Sequence, residues 1–575
     1  MYTFEEQYCQ PPFDDLLTIY RQSFAENFPL PALTDYTTGK SISYGDMARR
    51  IARLHLFFEL CGVKPGDKVA LLGRNTPNWV ITFMATVTYG AVIVPVLNDF
   101  NPADAQHIIN HSDSILLFVA DGLFPTLDFD SMPQIRAVVS LDTRTVIAER
   151  APDGTPRTST FKSVVTNLTR QFHRRYPNGF APEDIKYGHF PGDSVAVINY
   201  TSGTTGFSKG VMLTLDNLRG NVVFGIRSKL HFQNSRALSF LPLAHAYGCA
   251  FDMLVPLAVG SHVTLLGKTP TPMLLLKALR QVRPSLIICV PLILEKIYRK
   301  VVVPMITKKP IRWVLALPGL DIAVYSIIRN KLVEAFGGCF EEIIVGGAPL
   351  NPEVEAFLSR IKFPFTVGFG MTECGPLISY SPWRRFEPGS AGRVLKGIME
   401  AKILVDNTLP PVDGHSQGEI MVRGLNVMKG YYKNPEATES TLEEDGWLHT
   451  GDMGWISGPE RRLIHIRGRY KTMILSANGQ NIYPEEIEAK LSNMPYINEC
   501  LVIDRGGHLV ALCHPDADQV NRDGLDEVQL KAAMEENLKS LNSLVAPYER
   551  VQSIEIVPEE FEKTPKRSIR RFLYK

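Results

Sequence analysis

The chain has 575 residues, 45% hydrophobic and 21% charged, an ordinary globular mixture long enough for more than one domain. Its formal net charge of +1 offers no attraction for a polyanion, so nucleic acid is not expected as a partner. The eight cysteines form no CxxC pair and no His/Cys cluster at zinc spacing; they read as reduced thiols in a cytoplasmic protein.

The opening MYTFEEQYCQ is acidic and lacks the apolar core of a signal peptide. Further on, VALLG and AVIVPV are short apolar runs of strand type, and between them NWVITFMATVTYG fits a helix closed by Gly90. The same alternation returns at SVAVINY, HVTLLG, SLIICVP and EEIIVGG, which predicts parallel sheets covered on both faces by helices. The polar segment around Arg144 to Tyr187 reads as a surface excursion. No run reaches the ~20 apolar residues that span a bilayer. The nearest, Trp313 to Ile328, contains Pro318 and Asp321 and has basic flanks. It is either a packed pair of core helices or a peripheral contact with a membrane.

After about Gly389, period-two stretches such as GEIMVRG and RRLIHIRGR, separated by glycine turns, predict a small antiparallel β module at about 389–468. Helices mixed with strands then follow. The expected fold class is α/β: a large N-terminal domain over 1–468 that includes a small β-barrel module, and a smaller α+β C-terminal domain over 469–575.

Between SVAVINY and VML lies YTSGTTGFSKGV, from Tyr200 to Val211. A Walker A loop needs Gly-Lys-Ser/Thr at its end, but here Lys209 stands between Ser208 and Gly210, so that reading fails. The stretch is still a phosphate cradle at the C-terminal end of a strand. Gly203 and Gly206 let backbone N–H groups turn toward an anion, Thr201, Ser202, Thr204 and Thr205 add hydroxyl donors, and Lys209 adds a point charge.

This stretch resembles the signature of the adenylate-forming (AMP-binding) enzymes, which include the acyl-CoA synthetases, with Ser208 where a proline is usual. Several further motifs in the family's order extend the resemblance over nearly the whole chain. In VGFGMTECGP, Phe369 to Glu373 with Gly370 resembles a motif in which Thr372 contacts the α-phosphate and Glu373 binds Mg²⁺. In IIVGGAPL, Gly346, Gly347 and Ala348 resemble the small residues that lie against adenine. In GWLHTGDMG, Asp452 corresponds to the carboxylate on the ribose hydroxyls; in RGRYK, Arg469 corresponds to a second ribose or phosphate contact and Lys471 to the pivot of a mobile C-terminal domain. Gly479 corresponds to the turn lining the pantetheine channel, and His245 of LPLAHAYG to a histidine near the substrate carboxylate. Without that context, a histidine beside apolar residues is commonly a satisfied core residue.

The resemblance implies two half-reactions with ATP, Mg²⁺ and coenzyme A: a carboxylic acid becomes an acyl-adenylate, then a thioester. RNKLVEAFGGCFEEIIVGGAPLNPEVEAF is similar to the central region of long-chain fatty acid–CoA ligases, which implies a medium- to long-chain fatty acid as substrate. One departure stands out. The family ends in P-x-x-K, whose lysine serves adenylation; counting from Pro565, that position holds Ser568, and Lys566 lies two residues earlier. In an extended segment these two share a face, so Lys566 can take over the catalytic role. Otherwise adenylation lacks its charge and slows about 10²–10³-fold, while the thioester step is spared. Beside the synthetase stand two other readings: an acyl-AMP ligase that loads a carrier protein, and, given Ser568, a non-catalytic protein that binds nucleotide and acyl chain.

Overall fold

The structure, a computed structural model, describes residues 14–150, 160–201, 209–306, 320–458, 462–475, 481–563 and 569–574. The signals around Thr76 and Gly90 act as read. The Thr76 side chain accepts the backbone N–H of Trp79 at 3.2 Å, Pro77 fills the first helical position, and Gly90 ends helix Pro77–Tyr89 with a left-handed φ of 84°. A Cβ on Gly90 would also lie 2.3 Å from the Phe190 ring, so conformation and packing both require glycine there.

That helix connects two strands of an eight-stranded sheet. Its order is Gly430–Tyr431, Lys209–Thr214, Val195–Thr201, Val92–Val96, Lys68–Leu72, Ser114–Val119, Ala137–Ser140 and Val146–Glu149. The interior strands run parallel and read as unbroken apolar runs because helices cover both faces. Both ends of the sheet turn antiparallel. The strands on either side of the cradle are antiparallel neighbours, with Thr201 paired to Lys209.

A second sheet joins Arg236–Ser239, His262–Leu265, Pro31–Asp35 and Ser41–Ser43; a third, all parallel, joins Leu286–Cys289, Glu342–Val345 and Phe365–Val367. The antiparallel pattern late in the chain becomes a seven-stranded sheet ordered Phe369–Gly370, Leu377–Tyr380, Arg393–Val394, Leu463–Arg469, Leu448–Ser457, Gly418–Gly424 and Met399–Val405. Last come Ile497–Arg505, His508–Pro515 and Val551–Ile556 in a three-stranded sheet. Helices Pro484–Leu491 and Glu527–Leu544 pack on it through a core of their own that includes Ile487, Leu491, Met534 and Leu541.

The polar segment around Arg144 to Tyr187 is more than a surface excursion. Val146–Glu149 is an edge strand, and helix Thr160–Arg175 buries Phe161, Leu168 and Phe172 while packing on helix Tyr44–Leu60. Three apolar residues on one helical face suffice to dock it, and the charged residues between them mask the stripe in sequence. Much of the apolar stretch from Trp313 to Ile328 lies outside the described residues. Helix Leu320–Ala335, which carries its end, buries Ile328 and Leu332. No helix among the described residues is long and apolar enough to cross a membrane. The described cysteines are free thiols, as read from their spacing.

Candidate active site

The turn Thr372–Cys374, between two strands of the seven-stranded sheet, packs against strand Lys209–Thr214 of the eight-stranded sheet. Tyr431 pairs with Val211 and Gly430 with Met212, which brings a late segment of the chain alongside the strand that leaves the loop. Lys209 begins that strand, and its Nζ lies 4.8 Å from the centre of the Tyr431 ring. The Tyr431 hydroxyl donates to Glu373 Oε1 at 2.9 Å. Burial, and then the Glu373 carboxylate, push the Tyr431 hydroxyl well above its ordinary pKa, so it stays a donor. Met428 N–H donates to the Glu373 carbonyl at 2.8 Å and ties the same two segments together.

Glu373 lies in the turn Thr372–Cys374, with Thr372 buried beside it. Gly370 precedes the turn. A Cβ there would fall 2.3 Å from the Pro376 carbonyl oxygen, a backbone atom that cannot swing aside, so packing alone demands glycine. Ser202, Gly203, Thr204, Thr205 and Gly206 lie outside the described residues, as do Gly479 and Lys566. Thr201 is half-buried at the end of its strand. Lys471 falls in the turn Tyr470–Thr472 that follows Arg469.

Asp452 and Arg469 face each other across antiparallel strands, with Arg469 Nε donating to Asp452 Oδ1 at 3.0 Å. The Asp452 carboxyl is buried and the Arg469 side chain more than half exposed, so the pair points outward from the sheet through the arginine. Asp452 Oδ2 is buried with no hydrogen-bond partner among the described residues, a cost unless something donates to it. Burial pushes the Asp452 carboxyl up to about 6, against the pull of Arg469, with the Glu373 and Glu419 carboxylates adding to the rise. Arg469 is raised in turn, first by the Asp452 carboxylate and, against burial, by the same Glu373 charge. Glu373, Asp452 and Arg469 therefore share one electrostatic neighbourhood.

A second group gathers around Tyr247. The backbone N–H of Tyr247 donates to His245 Nδ1 at 3.2 Å, which assigns the proton of the neutral ring to Nε2. The Tyr247 hydroxyl donates to the Ile344 carbonyl at 3.0 Å, and its ring carbon would lie 3.1 Å from a Cβ on Gly346. Gly346 is buried at the end of strand Glu342–Val345, while Gly347, at φ 87°, and Ala348 are exposed in the turn after it. Gly368 N–H donates to the Val345 carbonyl at 3.0 Å, so this turn neighbours the segment that leads to Glu373.

Residues 21–432 match the family model of the AMP-binding enzymes. The chain belongs to that family. This AMP-binding enzyme is 31% identical over 513 residues to "Long chain acyl-CoA synthetase 6, peroxisomal" of Arabidopsis thaliana, spanning 84% of this chain and 70% of that one. It is 30% identical over 467 residues to a feruloyl-CoA synthase of an Amycolatopsis species, spanning 81% of each. The crystal structure of the anthranilate CoA ligase AuaEII in complex with anthranoyl-AMP has the same fold, with a TM-score of 0.75 at 18% identity over 100% of this chain and 98% of that one.

The sequence reading of this AMP-binding enzyme missed Tyr431, which links Lys209 to Glu373. It sits in KGYYKNPE, where one tyrosine of an adjacent pair gives no periodic signal of its own. It also assigned no role to Tyr247, which stands two residues after His245 in LPLAHAYG.

Proposed function

We propose that this AMP-binding enzyme is an AMP-forming acyl-CoA synthetase that activates a fatty acid of medium to long chain. The observation that carries the reading is the unpartnered, buried Oδ2 of Asp452, held beside Arg469 and in the field of Glu373. Two ribose hydroxyls would donate to Asp452, and Arg469 would reach ribose or phosphate through its exposed guanidinium. Gly346 to Ala348 would lie against the adenine, where small residues admit a flat base. Lys209 and Thr201, with the loop residues Ser202 to Gly206, would hold the phosphates. The supporting relatives carry the names of CoA ligases for both long-chain and aromatic acids, so the fatty substrate is the finer part of the proposal.

In the first half-reaction a carboxylate oxygen attacks the α-phosphorus and the bond to pyrophosphate breaks. In the second, the coenzyme A sulfur attacks the acyl carbonyl, AMP leaves, and the thiol proton passes to solvent. Thr372 and Lys209 would orient the phosphates, and His245 would present Nε2–H to the substrate carboxylate. Glu373 fits a Mg²⁺ site that is completed by phosphate oxygens: it is one carboxylate, one of whose oxygens Tyr431 already orients, and no described cluster of three or more His, Cys, Asp or Glu competes with it. When bound there, the ion would neutralise charge on the leaving pyrophosphate. Lys566 is proposed as the cation of the adenylation step. The proposal includes a division at 468/469, with Lys471 as the pivot about which the C-terminal part rotates between the two steps.

The test is release of pyrophosphate and of AMP with ATP, Mg²⁺ and a panel of acids from acetate to stearate plus hydroxycinnamic and benzoic acids, with and without coenzyme A. AMP release that requires coenzyme A and one class of fatty acid supports the proposal. Turnover confined to the aromatic acids overturns the substrate. Pyrophosphate release that coenzyme A does not accelerate favours a ligase that loads a carrier protein.

A further inference from the structure

The bulge of strand Leu448–Ser457 that carries Asp452 is held by a carboxylate that the nucleotide would not touch. Glu419, on strand Gly418–Gly424, accepts the Gly451 N–H on Oε1 at 2.9 Å and His449 Nδ1–H on Oε2 at 2.9 Å. His449 Nε2 lies 3.3 Å from Glu443 Oε1. Both ring nitrogens thus face carboxylate oxygens, which only accept, so the ring carries both protons and a positive charge. The other oxygen of Glu443 lies 3.9 Å from Lys402 Nζ, so the charges around the ring are Glu419, Glu443 and, behind Glu443, Lys402. Burial disfavours the charged ring, but the two carboxylates outweigh it and raise the His449 pKa.

The bulge is also fixed through Thr450. Thr450 donates its hydroxyl to the Ile420 carbonyl at 2.6 Å and accepts the Asp452 N–H at 3.1 Å. Gly451 between them has a φ of 71°. Three successive residues are therefore held from the neighbouring strand immediately before the carboxylate whose Oδ2 lacks a partner.

We infer that Glu419 and His449 are positioning residues for nucleotide binding: Glu419 fixes Gly451, His449 fixes Glu419, and the bulge so held aims Asp452 Oδ2 at the ribose hydroxyls. The inference rests on the proposed ATP reading. A bulge freed from Glu419 leaves Asp452 buried but no longer aimed. The loss falls on ribose contacts and not on phosphate or acyl contacts. His449 exchanged for glutamine keeps one donor to Glu419 but loses the charge and the bond to Glu443.

Calorimetric titration of the full-length protein with ATP and with 2′-deoxy-ATP tests this on His449→Gln, Glu419→Gln and Asp452→Asn. In the His449→Gln and Glu419→Gln variants the Kd for ATP rises about tenfold, while the Kd for 2′-deoxy-ATP moves much less, so discrimination between the two nucleotides shrinks. His449→Arg, which restores a cation between the carboxylates, recovers part of the discrimination. If Asp452→Asn binds ATP as the wild type does, the ribose reading falls and takes the positioning inference with it. If Asp452→Asn weakens binding while His449→Gln and Glu419→Gln keep wild-type affinity and discrimination, the positioning inference alone is overturned. Equal weakening toward both nucleotides in a variant that melts at the wild-type temperature also overturns it.

Discussion

Tyr431 donates its hydroxyl to Glu373 at 2.9 Å from a strand that arrives at the cradle late in the chain. Tyr431→Phe keeps the ring beside Lys209 and removes that donor. The loss of one hydrogen bond to a charged group is worth about 1.5–3 kcal/mol at most. The Mg²⁺ concentration for half-maximal pyrophosphate release is expected to rise about tenfold, with the KM for the acid unchanged. Tyr431→Ala, which also removes the surface under Lys209, is expected to weaken ATP binding as well. Wild-type Mg²⁺ dependence in Tyr431→Phe would show that the hydroxyl does not set Glu373.

Asp452 predicts an acid limb for nucleotide binding. Its carboxyl is raised to about 6 in the folded chain. ATP would select the ionised form, which accepts from both ribose hydroxyls, so the KM for ATP is expected to climb as pH falls through about 6. Fold stability runs the other way. As pH falls from about 6 toward the ordinary carboxylate value of ~3.9, the folded chain takes up this proton before the unfolded chain does, so this residue's share of stability increases. Asp452→Asn is expected to abolish both slopes and to raise the KM for ATP about ten- to hundredfold. A flat KM between pH 5 and 7 in the wild type would refute the assignment.

His449 sets the opposite limb. Its folded pKa is raised, so the contribution of the charged ring is complete at low pH and fades as pH rises through that value. The ribose discrimination of the wild type is expected to decline on the alkaline side. In His449→Gln the discrimination is already reduced and is expected not to change with pH there.

Gly370→Ala tests packing in place of ligand contact. The new Cβ would meet the Pro376 carbonyl oxygen at 2.3 Å, and the adjoining turn carries Thr372 and Glu373. Overpacking of this kind costs about 1–3 kcal/mol, seen as a lower Tm together with slower pyrophosphate release. A variant with the wild-type Tm and a higher KM for ATP alone would point to direct contact with nucleotide.

Lys566→Ala is expected to slow the first half-reaction about 10²–10³-fold while sparing the second, measured as thioester formation from synthetic acyl-adenylate and coenzyme A. An unchanged rate of pyrophosphate release would remove Lys566 from the mechanism. Ser568→Lys, which restores the usual spacing, is expected to rescue Lys566→Ala.

The alternation of strands and helices was legible because each signal is local. Thr76, Pro77 and Gly90 bracket a helix within a few residues of one another, and apolar runs such as Val92–Val96 declare burial by composition. The candidate site was legible where motif residues keep their spacing, as at Glu373 and Asp452. Pairings across distance were not. Period two tells which face a strand residue occupies, but Asp452 meets Arg469 through a register set by the partner strand. Tyr431 and Glu419 owe their places to strand partners far from them in sequence, and nothing near them announces it. Helix Thr160–Arg175 was hidden for a different reason: three apolar residues dock it among many charges.

The pairing of Gly430–Tyr431 with Lys209–Thr214 also bears on how the chain is made. The two strands beside the cradle leave the ribosome first, while the strand that covers their edge emerges only after the intervening sheets, a delay on the order of tens of seconds at typical synthesis rates. Until then Lys209–Thr214 is an open edge, able to pair with any other unfinished strand. Translation halted before Gly430 would leave a chain with most of its parallel sheets formed and a sticky flank along Lys209–Thr214. Such a fragment should require a chaperone to remain in solution.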